Sequence, residues 1–335
     1  MYEKFYRLTG IPFLLTPDRR FFFGSRGHSR AIAHLVYGLS QEEGFVVITG
    51  EVGAGKTTLV EQLWTQLDRS TYVMSRVVTT RVSGDDLLRL AMAGFGLEAE
   101  IASDKATLLV RYEQLVREHR KHGRRLLLLV DEVQNLPLSA LEELRMLSNI
   151  TVDGKASVQT ILLGQPQFRP MLAARDADQL RQRVLASYHL GPLSEAETRG
   201  YIEHRLKLVG WKEDPAWDPD AFGAIHRQTG GIPRRINTLC SRVLLLGSLE
   251  ETHRITAEMV NTTADELNED LGAGGVAMPE PEVHAPAPAF APPVAPPSRE
   301  VESLAGRIMV LEQGALRQER MLKRLLEIME ARVPQ

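Results

Sequence analysis

Phe45-Val46-Val47-Ile48-Thr49-Gly50-Glu51-Val52-Gly53-Ala54-Gly55-Lys56-Thr57-Thr58 reads as an apolar strand running into a glycine-rich loop and then a helix. This is the phosphate-loop pattern G-x-x-x-x-G-K-[ST] in the strand–helix setting its mechanism requires. Gly50, Gly53 and Gly55 allow the backbone, with Glu51, Val52 and Ala54 between them, to wrap an anion with its N–H groups. The helix opening near Lys56 adds the positive end of its dipole. Lys56 is expected at the β- and γ-phosphates and the Thr57 hydroxyl on Mg²⁺, with Thr58 completing the nucleotide-binding run. The expected ligand is a nucleoside triphosphate with its magnesium ion.

Strands and helices alternate on either side of this loop. Ser29 to Ser40 places Ile32, Leu35, Val36 and Leu39 at helical spacing. Tyr72 to Val78 reads as a second strand, followed by helices at about Gly84 to Phe95 and Lys105 to His122. Leu126 to Val130 is wholly apolar, as in a strand buried on both faces of a parallel sheet. A helix near Ser139 to Leu147, a strand at Val158 to Leu163 and a short last strand at Ser187 to Leu190 complete the series. The pattern predicts an α/β fold, a doubly wound parallel sheet with its ligand at the strands' carboxyl ends.

That geometry gives meaning to Asp131-Glu132, which follow the apolar run directly. Asp131 is expected to hold Mg²⁺ through its water shell. Glu132 is expected to polarise the attacking water, a role worth roughly 10²–10⁴-fold in rate. Gln165, at the end of the next strand, is suited to orient that water against the γ-phosphate. Arg234, in Gly230-Gly231-Ile232-Pro233-Arg234-Arg235, opens a helix whose first turn Pro233 sets, and is placed to reach the phosphates. Arg183, with Arg181 as the alternative, sits just before the last strand, where an arginine can enter a neighbouring subunit's site; such a device is worth roughly 10³–10⁵ in rate.

From Ser194 onward the pattern is helical: Ala196 to Val209, Pro219 to Gln228, Arg234 to Leu246 and Thr256 to Leu267, with Ser194 and Glu197 as a capping box. The expected organisation is a nucleotide-binding α/β domain over 1–193 and an α-helical lid over 194–271. Residues 272–298 hold eight of the chain's 18 prolines and read as an extended spacer. Residues 299–335 regain periodicity through Val301, Leu304, Ile308, Leu311, Ala315, Gln318, Leu322, Leu325, Met329 and Arg332, which suits a coiled-coil seam or docking on a partner helix.

The 335 residues suffice for about two domains. A net charge of -3 gives no support to a large polyanion-binding surface. One basic run, Arg117 to Arg125, lies at a helix C-terminus, where the dipole favours cations; contact with lipid or nucleic-acid phosphate is its alternative reading. With Cys240 the sole cysteine, neither an intramolecular disulfide nor a cysteine-rich zinc site is available. The start, Met1 to Pro12, lacks the apolar h-region of a signal peptide, and no run approaches the roughly 20 apolar residues of a membrane span. A cytoplasmic location, or a peripheral one at the inner face of the cell membrane, is expected. Phe21, Phe22 and Phe23 are read as core, with one of them free to border the adenine.

These residues together resemble the AAA+ ATPases of the general secretion pathway protein A (ExeA-like) family. The resemblance covers about Met1 to Glu269. It rests on M-Y-E-K-F-Y at Met1–Tyr6, L-T-P-D-R-R-F-F-F-G-S-R-G-H at Leu15–His28, and G-E-V-G-A-G-K-T-T-L at Gly50–Leu59. It continues in V-D-E-V-Q-N-L at Val130–Leu136, E-E-L-R-M-L-S-N at Glu142–Asn149 and L-L-G-Q-P-Q-F at Leu162–Phe168. L-R-Q-R-V at Leu180–Val184 and G-G-I-P-R-R-I-N-T-L-C at Gly230–Cys240 complete it. Ser187 to Leu206 resembles the type associated with exosortase/PEP-CTERM systems. The resemblance implies an AAA+ fold with a helical lid, ATP hydrolysis, nucleotide-dependent homo-oligomers and a role beside envelope assembly. It implies the Walker-type roles for Lys56, Asp131 and Glu132, the lid arginine for Arg234, and the sensor and finger positions for Gln165 and Arg183. Secretion-pathway relatives typically continue into a transmembrane segment and a peptidoglycan-binding part; here a proline-rich spacer leads to a helix.

The leading expectation is therefore an ATP-hydrolysing protein that supports exopolysaccharide or envelope-protein export. The alternatives are a DNA-dependent regulator of the transposition-ATPase type and a nucleotide-gated scaffold whose C-terminal helix recruits a partner.

Overall fold

The computed structural model describes residues 2–16, 18–78, 82–97 and 104–272. They belong to one compact unit, Met1–Gly275. The proline-rich spacer beyond Gly272 and the periodic seam at 299–335 lie outside the described residues.

Along the chain, α1 (Arg26–Ser40) leads into β1 (Phe45–Gly50), and α2 (Lys56–Gln66) follows the glycine loop. Next come β2 (Tyr72–Val77), α3 (Gly84–Gly94), α4 (Lys105–Lys121), β3 (Arg125–Val130) and α5 (Leu138–Asn149). The sheet is completed by β4 (Val158–Gly164) and β5 (Val184–Leu190). All pairings are parallel, in the order β2-β3-β4-β1-β5. Every strand of β1 and β4 is buried along its length, and β3 from its second residue, whereas the edge strands β2 and β5 are buried in part.

The alternation of side chains along each strand divides the core in two. Phe45 and Val47 of β1 join Leu126, Leu128 and Leu162 under α3, α4 and α5. Val46 and Ile48 join Leu127, Leu129 and Ile161 under α1 and α2. The register pairs Val77 with Val130, Val130 with Leu162, Thr49 with Gly164 and Gly50 with Leu190, so all five strands end at one edge. The glycine loop, Asp131-Glu132 and Gln165 leave from that edge.

The remaining helices are α6 (Glu195–Leu208), α7 (Pro219–Thr229), α8 (Pro233–Leu249) and α9 (Ala257–Gly272). Ser194 and Glu197 form the expected capping box at α6. These helices bury Ile202, Phe222, Leu239, Cys240 and Val260 in a third cluster. Tyr2, Tyr6, Leu8, Phe13 and Phe21 are buried in that same cluster, so the N-terminal segment packs with the helices that follow Ser194. Arg205 of α6 accounts for much of this attachment. The residue is 6% exposed, and its guanidinium donates to the carbonyls of Pro12 (2.6 Å) and Leu14 (3.3 Å) and to the Tyr201 hydroxyl (2.7 Å).

Several elements differ from the sequence reading. β5 starts at Val184 rather than Ser187, because an edge strand exposes alternate residues and carries no continuous apolar signal. α9 continues past Leu267 to Gly272. A hairpin of two-residue strands, Thr151–Val152 and Lys155–Ala156, turns at Asp153-Gly154 with φ of 54° and 74°. The Asp-Gly pair is the signal for it.

Candidate nucleotide-binding site

The loop after β1 has the backbone form its glycines permit. Gly53 and Gly55 have φ of 82° and 97°, a region that L side chains disfavour. A Cβ on Gly53 would come 2.3 Å from the Arg234 Cβ, and one on Gly55 would come 2.9 Å from His28 Nε2. Gly55 caps α2 without any side-chain hydrogen bond, so the helix's first N–H groups face the loop. Lys56 is buried and donates from Nζ to the carbonyls of Gly50 (2.8 Å) and Glu51 (3.1 Å). Burial pulls the Lys56 ammonium below its ordinary value, opposed by the negative charges of Glu132, Asp131 and Glu51.

Behind the loop stands His28, which sequence reasoning passed over. It lies in the first turn of α1, where the Ser25 Oγ is 2.7 Å from Nδ1 and also accepts the His28 backbone N–H. The ring packs against the loop at Gly55, and burial holds it below the ordinary histidine value against the pull of Glu197 and of the Ala54 backbone. The signal was present as Ser-x-x-His at a helix start. Its contact with Gly55 is long-range and has no local pattern.

On the acid side, Thr57 Oγ1 donates to Asp131 Oδ2 at 2.9 Å, and an Arg76 Nη2 lies 3.8 Å from the same oxygen. Glu132 follows with φ of 53°, a left-handed conformation that turns its side chain from the strand's line. Its Oε2 accepts from Gln165 Nε2 at 2.9 Å and from Gln134 Nε2 at 2.5 Å. Gln165 thus sits against Glu132, bridging the ends of β3 and β4. Gln134 was not singled out from the sequence.

The glycine loop and Glu132 open on a cleft of about 290 Å³. Val52, Gly53, Gly55, Lys56, Thr57 and Thr58 line it, with Gly50, Glu51 and Ala54 forming the turn behind them. Glu132 and Arg234 face it, as do Phe21, Phe22 and Phe23; Phe21 is buried, and its two neighbours are half-buried at the cleft wall. Arg234 lies in the first turn of α8, and its backbone N–H donates to the Gly53 carbonyl at 3.2 Å, which ties the helical layer to the phosphate loop. Its side chain is exposed.

Arg183 is placed elsewhere. Its carbonyl accepts the Phe45 N–H at 2.9 Å, at the start of β1, and its Nη1 bonds Ser148 O (3.2 Å) and Oγ (3.1 Å). The length of β1, about 3.3 Å per residue, separates it from the loop of its own chain. Arg181 is exposed and pairs with Asp178 at 2.8 Å. In the basic run, Arg117 pairs with Glu113, Arg125 with Glu42, and Arg120 with the carbonyls of Val152 and Ala156, so three of the five cations are committed to the fold.

A parallel sheet with a glycine cradle, an Asp-Glu pair and a helical layer touching the loop defines a P-loop nucleotide-binding protein of the AAA+ class. Residues 39–172 match the family described as an AAA domain. The chain is 38% identical over 275 residues to general secretion pathway protein A of Aeromonas hydrophila, covering 80% of this chain and 49% of that protein. The chain thus carries an AAA domain and is similar to general secretion pathway protein A, spanning about half the length of that curated relative. Among solved structures, the Aeropyrum pernix ORC2 protein is similar with a TM-score of 0.57 at 18% identity, covering 75% of this chain and 72% of that one. Cdc6p from Pyrobaculum aerophilum is similar with a TM-score of 0.56 at 16% identity, covering 82% of this chain and 74% of that one. These likenesses show the fold.

Proposed function

We propose that this protein binds ATP with Mg²⁺ in the cleft and hydrolyses it, and that the cycle supports a machine exporting exopolysaccharide or envelope proteins. The observation that carries the catalytic part is the convergence of Lys56, Thr57 and Glu132 on one cleft at the carboxyl edge of the sheet, with Asp131 bonded to Thr57 and Gln165 to Glu132. Thr57 and Asp131 offer hard oxygen donors 2.9 Å apart, which suits a magnesium ion that takes its other ligands from phosphate and water. Lys56 would release the loop carbonyls to meet the phosphates. Glu132 accepts the proton of the attacking water, Gln165 orients it, and Arg234 closes the helical layer over the phosphates. Arg183, with Arg181 as the alternative, enters the site of a neighbouring copy in a nucleotide-dependent homo-oligomer; their position at the amino edge favours action in another subunit.

The export role rests on the likeness to general secretion pathway protein A, and the exosortase-linked form of it on the resemblance at Ser187 to Leu206. A cytoplasmic or peripheral inner-membrane location belongs to the same reading. Among the described residues no helix is long and apolar enough to cross a membrane. The test is Glu132→Gln: Mg-ATP binding is retained and turnover is lost. A Glu132→Gln protein that hydrolyses ATP at the parent rate would remove Glu132 from the chemistry.

A further inference from the structure

The groups around Glu132 form a closed ring of hydrogen bonds. Gln134 Nε2 and Gln165 Nε2 both donate to Glu132 Oε2, at 2.5 and 2.9 Å. The Gln165 backbone N–H in turn donates to Gln134 Oε1 at 2.9 Å. Gln134 uses both ends of one amide, its NH₂ on the carboxylate and its carbonyl on the next strand's exit. Only one orientation of the amide satisfies both partners, since a carboxylate accepts and a backbone N–H donates.

The backbone sets this up. Glu132 has φ of 53°, and the 3-10 turn Val133–Asn135 begins immediately after it, which folds Gln134 back beneath the carboxylate. A left-handed non-glycine residue is disfavoured and persists where its surroundings hold it. Gln134 and Gln165 are half-buried, while Val133 below them is buried in the sheet core. The ring is therefore anchored on two adjacent strands.

We infer that Gln134 is a positioning residue for the general base: with Gln165 it occupies Glu132 Oε2 and leaves Oε1 as the oxygen that meets water. This rests on the ATPase reading above. In the step it serves, water oxygen bonds to the γ-phosphorus and the bridging P–O bond breaks. The bond's electron pair leaves on ADP, and the water proton passes to Glu132 Oε1. Gln134 forms and breaks no covalent bond. Its contribution is the angle at which the carboxylate is presented, and a charge-assisted pair fixed in this way is strong enough to change a rate by roughly ten- to a hundredfold.

The experiment uses the full chain with Gln134→Met, Gln134→Glu and Glu132→Gln side by side, measuring kcat and the Mg-ATP dissociation constant. Gln134→Met keeps the bulk and loses both bonds. Gln134→Glu keeps the acceptor for the Gln165 N–H but sets a like charge against Glu132, so it separates positioning of the base from a tie between strands. We expect both Gln134 variants to bind Mg-ATP within about twofold of the parent while kcat falls roughly ten- to a hundredfold, and either change combined with Glu132→Gln to lower that variant's residual rate no further. A parental kcat in Gln134→Glu overturns the inference, as does a loss of affinity that accounts for the whole loss of rate. An inactive Glu132→Gln beside a fully active Gln134→Met sinks this inference alone, whereas a fully active Glu132→Gln sinks the ATPase assignment beneath it.

Discussion

Replacing Gly53 with alanine tests the phosphate cradle at the point where backbone and lid meet. The new methyl faces two obstacles. At φ of 82° an L residue is in disfavoured territory, costing about 1–2 kcal/mol. Its Cβ would also lie 2.3 Å from the Arg234 Cβ, a backbone-proximal atom with little freedom to withdraw. Forcing a methyl into such a contact costs about 1–3 kcal/mol, so the sum is roughly 2–5 kcal/mol. Without ligand the loop can relax by parting from Arg234, whereas a bound triphosphate demands the strained form. The cost therefore falls on affinity, and at 1.4 kcal/mol per tenfold it weakens Mg-ATP binding roughly 30- to several-thousand-fold. Calorimetric titration of the full chain reads this directly. Gly191→Ala is the control: its Cβ meets nothing within 4 Å and its φ is ordinary, so the affinity stays within about twofold. Parental affinity in Gly53→Ala would refute the cradle geometry, and an equal loss in Gly191→Ala would refute its attribution to strain.

Three further outcomes follow from packing and charge. Arg205→Met removes the donor shared by Pro12, Leu14 and Tyr201 and destabilises the fold by about 2–4 kcal/mol; an unchanged Tm would show that the N-terminal segment needs no such tether. Tyr112→Phe removes a buried bond to Ser157 Oγ of 3.0 Å and costs about 1 kcal/mol, measured by urea denaturation; no change in midpoint contradicts it. His28, His119 and His204 are each held below the ordinary imidazole value, first by burial. Below about pH 6.5 the unfolded chain binds protons that the folded one refuses, so stability present above that pH is lost on acidification. Tm at pH 5.5 is expected below Tm at pH 7.5; the reverse order would contradict it.

The phosphate loop and Asp131-Glu132 were legible in the sequence because their chemistry demands particular residues at fixed local spacing beside an apolar strand. Gln165 was legible through topology, since a parallel sheet brings the end of the neighbouring strand to the acids. Gln134 was not, because its role depends on the left-handed turn at Glu132, which no residue pattern announces. His28 was hidden for a related reason: it packs against Gly55, across an intervening strand. The packing of Tyr2, Tyr6 and Phe13 with α6 to α9 escaped periodicity, which reports a residue's buried face but never its partner. Arg183 shows the converse. Its place before the last strand was readable, and the structure then puts it beyond reach of its own chain's loop.

Titration of Mg-ATP into the folded 335-residue chain by calorimetry addresses the account at its root. It predicts saturable binding at one site per chain, abolished by Lys56→Ala in a protein of unchanged Tm. Absence of any binding heat across temperatures in the folded parent, or undiminished binding in Lys56→Ala, would contradict it.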